Sequence, residues 1–94
     1  MPNWKLQVNQ HLEEKFMNHL RSKIAQNEIE SKMKQWMSHD EQLAQAETLW
    51  DFKQVMGHYQ EFGENEVRMV EAAYTQYLEG LLAKAYKWSQ EKLE

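Results

Sequence analysis

Asp51, His58 and Glu61 come nearest to chemistry among the side chains of this 94-residue chain. His58 stands seven positions after Asp51 and Glu61 three after that, so on one continuous helix all three share a face with Glu47 and Gln54. A carboxylate, an imidazole and a second carboxylate are the ingredients of acid–base catalysis. Their reach is wrong, because two helical turns set the origins of Asp51 and His58 roughly 10 Å apart, too far for the carboxylate to orient the ring. No Ser or Cys stands on the strip as a nucleophile, and a solvated polar face is the simpler reading. Metal chemistry has no better footing. No two histidines lie four apart, and none of His11, His19, His39 or His58 follows a Glu by three, as the helical di-iron motif requires. His39, next to Asp40 and Glu41, suits a helix cap. With no cysteine and no glycine-rich phosphate loop, the expectation is a protein that is not an enzyme and holds neither metal nor cofactor.

The elements that would carry these residues are helices throughout. Apolar residues recur three and four apart, nothing alternates as a strand would, and one proline with three glycines leaves little from which to build many turns. The predicted fold class is all-α: a small bundle of three long helices over residues 3–37, 39–62 and 66–90, paired as helical hairpins or coiled coils in a single domain spanning residues 1–94. Ser38 with Glu41 three residues on forms a capping box, which predicts a helix start near His39. Gly63 suits a left-handed C-terminus, and Asn65 can cap the helix that follows.

The first helix is the hardest to phase. Trp4, Val8, Leu12, Phe16, Leu20 and Ile24 are each four apart, so the line creeps about 40° around the helix per step. Ile29, Met33, Trp36 and Met37 then return to the side of Trp4. A kink or break near residues 25–28 accounts for the jump, with Asn27 and Glu30 at capping spacing.

On a helical wheel of residues 43–62, Leu49, Phe52, Val55, Met56, Tyr59 and Phe62 make a broad apolar face opposite the polar strip. Leu43, Ala46, Trp50 and Gly57 make a third sector. Gly57 reads as a notch that admits a neighbouring helix, which would offset about 1 kcal/mol of lost helix propensity. In the last helix Val67, Val70, Tyr74, Tyr77, Leu78, Leu81, Ala85 and Trp88 fill a core-facing sector about 100° wide. Leu82, Tyr86 and Leu93 form a second apolar patch beside it. These surfaces exceed what a 94-residue monomer is expected to bury, and Trp50, Gly57, Leu82, Tyr86 and Leu93 are the candidate protein-interaction residues.

Charge narrows the partners. The net charge is −4, with six Lys/Arg against four Asp/Glu up to Ser38 and five against eleven thereafter. Lys15, Arg21, Lys23, Lys32 and Lys34 alternate with Glu13, Glu14, Glu28 and Glu30, the pattern of solvated helix faces and not of a nucleic-acid-binding stripe. No run approaches the roughly 20 apolar residues of a membrane span, and the N-terminal residues lack the apolar core of a signal peptide, so a cytoplasmic setting is expected.

The segment AETLWDFKQVMGHYQEFGENE, an apolar-aromatic helix interrupted by a glycine and followed by a turn and another helix, resembles small helical proteins encoded near the head-assembly genes of tailed phages. The resemblance implies a virion-assembly or accessory protein acting through helix packing and oligomer formation, in host cytoplasm or virion, and transfers no functional residue. The expected function is therefore assembly or adaptor activity, with a second copy or another protein as partner. The competing expectation is a small regulatory or inhibitory protein that docks an apolar aromatic helix face on a host protein.

Overall fold

The computed structural model describes the backbone of residues 4–93 and the side chains of residues 7–87. The side chains of Trp4, Trp88 and Leu93, counted in the apolar patterns above, lie outside the described residues. Among the described residues five helices follow one another: α1 (Trp4–Ser22), α2 (Glu28–His39), α3 (Glu41–Gln45), α4 (Leu49–Met56) and α5 (Glu64–Leu93). The all-helical class stands, and the expected three long helices are replaced by five of very unequal length. No helix among the described residues is long and apolar enough to cross a membrane.

Each boundary has a local cause. The chain leaves α1 after Ser22 and enters α2 through Asn27, whose side chain accepts from the Glu30 amide at 2.8 Å while its own amide donates to the Glu30 carboxylate at 3.2 Å. The first bond is that of an N-cap, and the second joins the two side chains without reaching the Asn27 backbone amide. The next cap falls elsewhere than expected. Ser38 remains inside α2 with its hydroxyl donating to the Gln35 carbonyl, and Asp40 is the N-cap of α3, accepting from the Leu43 amide at 3.1 Å. Asp40 also closes α2, donating its amide to the Trp36 carbonyl from an extended conformation.

The expected helix over residues 39–62 is cut twice. Thr48 accepts from the Asp51 amide and starts α4 after a three-residue link, and Gly57 then ends it. Gly57 is thus an exposed C-cap with φ −65° and ψ −18°, not a notch inside a helix. A Cβ there would meet the carbonyl oxygens of Gln54 at 3.4 Å and Lys53 at 3.6 Å, both of its own turn, so no neighbouring helix is seated on it. Gly63 does not adopt a left-handed conformation either. It precedes α5, and the Glu66 carboxylate reaches back to its amide at 2.8 Å, while Asn65, the expected cap, lies inside the first turn of α5.

The core takes Phe16, Met17 and Leu20 from α1, Met33 and Met37 from α2, Leu43 from α3, Leu49, Phe52 and Met56 from α4, and Val70 and Ala73 from α5. The drift of the first apolar line explains its partial use. Phe16 and Leu20 are buried, Val8 stays half-exposed and Ile24 lies past the end of α1 in open solvent. On α5 the sequence stripe holds only as far as Tyr77. Val70 is sealed and Val67, Tyr74 and Tyr77 pack against the core, whereas Leu78 and Leu81 are half-buried and Ala85 is exposed. Ala73, which is not part of that stripe, is buried.

Helix ends are tied across the structure by charged side chains expected to be solvated. Arg21 donates from Nε to the Ala44 carbonyl at 3.0 Å and from a terminal nitrogen to the Ala46 carbonyl, satisfying oxygens that the end of α3 leaves without helical partners. Lys34 of α2 does the same for Leu20 of α1. Glu13 of α1 accepts from the Trp50 amide at 2.7 Å, in the first turn of α4, where a negative charge favours the helix dipole.

The Asp40 hinge responds to acid. A hydrogen bond from the Tyr59 hydroxyl, joined by the Leu43 amide, holds its carboxyl below the ordinary value of 3.8. A depressed native pKa means that the unfolded chain binds the extra proton first, so this contribution is present above pH 4 and disappears as the pH falls through the native value. Asp40→Asn should remove that component, making urea midpoints below about pH 4 less steeply pH-dependent than in the parent chain. Identical slopes in the two proteins would exclude Asp40 as a source.

Candidate functional site

The polar strip singled out by spacing does not survive the break at Gly57. Asp51 lies in the first turn of α4 and borders a cleft with Gln10, Glu13, Thr48 and Trp50. Glu61 lies in the turn before α5 and borders a different cleft with Trp36, His39, Asp40 and Phe62. His58, between them, is exposed in the turn. The three groups therefore share no site. Among the described residues, no three His, Asp or Glu side chains are grouped so as to hold a metal ion.

One buried polar cluster does form, in a place that the sequence pattern did not mark. Glu30 is 4% exposed, and its carboxylate lies 3.0 Å from His19 Nε2 on α1 while also holding the Asn27 amide. The His19 ring stacks on Phe16 and meets Tyr77 at a centroid distance of 5.0 Å. Phe16 in turn touches Tyr74 and Tyr77, each at 5.3 Å. The cluster is a three-helix junction with every buried polar side-chain atom satisfied. Burial pushes the Tyr74 hydroxyl above its ordinary value, with Glu13 nearby adding to the effect, and burial alone does so for Tyr77. Both phenols stay protonated at neutral pH. The spacing of Asn27 and Glu30 marked a cap, but no local signal shows that the glutamate also reaches a histidine eleven residues earlier.

His19 has one edge on a groove of about 550 Å³ between α1 and α5. One wall is a row of residues four apart on α1 and its exit, Lys15, His19 and Lys23. The facing wall is Tyr77, Gly80, Leu81 and Lys84 of α5. Gly80 stands in mid-helix where an added Cβ would touch nothing within 4 Å, so its missing side chain widens the groove.

The candidate interaction residues fall into two separate surfaces. Trp50 is 59% exposed at the start of α4, beside Glu13 of α1. Leu82 and Tyr86 are 70% and 67% exposed on the distal half of α5. Gly57 joins neither surface, being placed in the turn beyond α4, and the side chain of Leu93 lies outside the described residues. α5 runs on for sixteen residues after Tyr77, about 24 Å of helix at 1.5 Å per residue. Among the described residues of this distal half, 78–87, none belongs to the core that the proximal half helps to build. No protein-family model, no curated protein and no solved structure matches the chain.

Proposed function

We propose that this protein is a non-enzymatic assembly or adaptor protein whose distal α5 pairs with the same segment of a second copy. The observation that carries the reading is the unequal use of α5. Leu82 and Tyr86 stand mostly in solvent, one turn apart, on a helix whose first half is built into the core. Exposed apolar residues in register on a projecting helix are the material of helix-to-helix association. The resemblance to helical proteins encoded near phage head-assembly genes points toward the same behaviour, and a virion-assembly or accessory role in host cytoplasm or virion belongs to this reading.

Light scattering after size-exclusion chromatography tests it. The parent chain should elute as an oligomer at micromolar concentration, and Leu82→Glu with Tyr86→Glu should shift it at least tenfold toward monomer with helicity unchanged, because charges replace apolar contacts at the seam. A parent chain that stays monomeric at about 100 µM, where even weak self-association with a micromolar Kd would be evident, counts against the proposal. It would favour the second reading, in which exposed Trp50 anchors a heterologous protein in a regulatory or inhibitory complex, as large aromatics do at interface hot spots.

A further inference from the structure

The groove between α1 and α5 has a chemistry that self-association does not use. Lys15, Lys23 and Lys84 border it from both walls, and no Asp or Glu does, in a chain whose net charge is −4. Surface lysines in an acidic protein are ordinarily interleaved with carboxylates, as Lys53 is paired with Glu71 at 3.2 Å and Arg68 with Glu64 at 3.0 Å. Three lysines bordering one concavity that no carboxylate lines are a local inversion of the protein's charge. Between them the walls are apolar or neutral: the Tyr77 ring, Leu81, and the side-chain amides of Gln26 and Gln76, which supply hydrogen-bond donors and acceptors. The volume lies within the range of small-ligand sites, roughly 300–1,000 Å³.

We propose that this groove binds a small amphipathic organic anion, its phosphate or carboxylate head held among Lys15, Lys23 and Lys84 and its ring or short apolar body lying on Tyr77 and Leu81. Lysine suits such a head as a flexible point charge that does not require bidentate geometry. Gly80 is the shape determinant. A glycine in the middle of a 30-residue helix weakens it relative to alanine, and here it leaves open space on the groove wall. The floor is firm, because His19 is fixed by Glu30 on one side and by Tyr77 on the other. The site is distinct from the Leu82 and Tyr86 face, so ligand binding and oligomerisation can be scored separately.

The experiment is a nuclear magnetic resonance titration of the full chain with phenyl phosphate, benzoate and inorganic phosphate. Saturable shifts at Tyr77, Gly80 and Lys84 are expected for phenyl phosphate or benzoate, with inorganic phosphate at least tenfold weaker because it leaves the apolar wall uncovered. The two organic probes separate a phosphate-preferring site from a carboxylate-preferring one. Lys23→Gln with Lys84→Gln should weaken binding at least tenfold by removing two charges. Gly80→Leu, which keeps every charge but fills the space, should do the same while leaving the amide spectrum of the core in place. Shifts that persist in Gly80→Leu would show diffuse attraction to lysines and overturn the site. The absence of saturation for both organic probes up to about 10 mM would also overturn it, since that corresponds to less than about 3 kcal/mol of binding.

Discussion

Phe16→Ala is expected to lower the unfolding free energy by about 3 to 5 kcal/mol, the range for deleting a buried phenylalanine. Phe16 is wholly inaccessible and is the α1 residue on which Tyr74, Tyr77 and the His19 ring all converge. Its loss removes ring contacts to α5 and leaves a cavity at the junction. Small domains are stable by only about 5–15 kcal/mol, so a substantial unfolded population should follow near physiological temperature. Urea melts followed by circular dichroism measure the change, with Phe16→Leu as the milder comparison at about 1 to 2 kcal/mol because most of the volume is kept. A loss below about 1 kcal/mol for Phe16→Ala would mean that α1 and α5 are held together by something other than this aromatic junction.

Glu30→Ala should rank second, at about 2 to 4 kcal/mol. It leaves His19 without its carboxylate in a site where Glu30 is nearly sealed from water, and unpartnered buried polar groups carry their full desolvation cost. Helix α2 keeps its start, because the Asn27 side chain still accepts from the residue-30 amide. The damage should therefore appear as lost tertiary stability and a shifted His19 ring signal, not as an unwound first turn. Glu30→Gln, which retains an oxygen for His19, should recover at least half of the loss. Equal losses in both variants would assign the effect to charge and not to the hydrogen bond.

The all-helical character was legible because period three-to-four spacing is imposed by burial and needs no knowledge of tertiary neighbours. The division at Asn27 was legible for a related reason, since an N-cap is a local interaction. The next break was displaced by competition between two local signals. Ser38 and Asp40 both offer a capping oxygen, and Asp40 prevails where the Trp36 carbonyl and Leu43 amide can both be satisfied at one extended residue. The break at Thr48 lies within an apolar face that runs on across residues 43–62 in the sequence, so periodicity alone gives no sign of it. With the end of α4 at Gly57 unseen, Asp51, His58 and Glu61 fell on one imaginary helix, and Gly57 became a notch in it. Glu30 and the lysines of the groove were beyond the reach of periodicity altogether. A carboxylate that is a buried partner looks identical in sequence to one in solvent, and the groove unites rows from helices about sixty residues apart.

The side chains that close the helix ends set an order of events for folding. α3 has five residues and α4 has eight, too short to persist alone when isolated helices below about 12–15 residues are marginal. Arg21 and Glu13, which hold the end of the first and the start of the second, both belong to α1. These end contacts of the middle segment are therefore made only once α1 is in place. A chain emerging in order from its N-terminus presents residues 4–22 before residues 41–56, so the side chains that cap the short helices precede them.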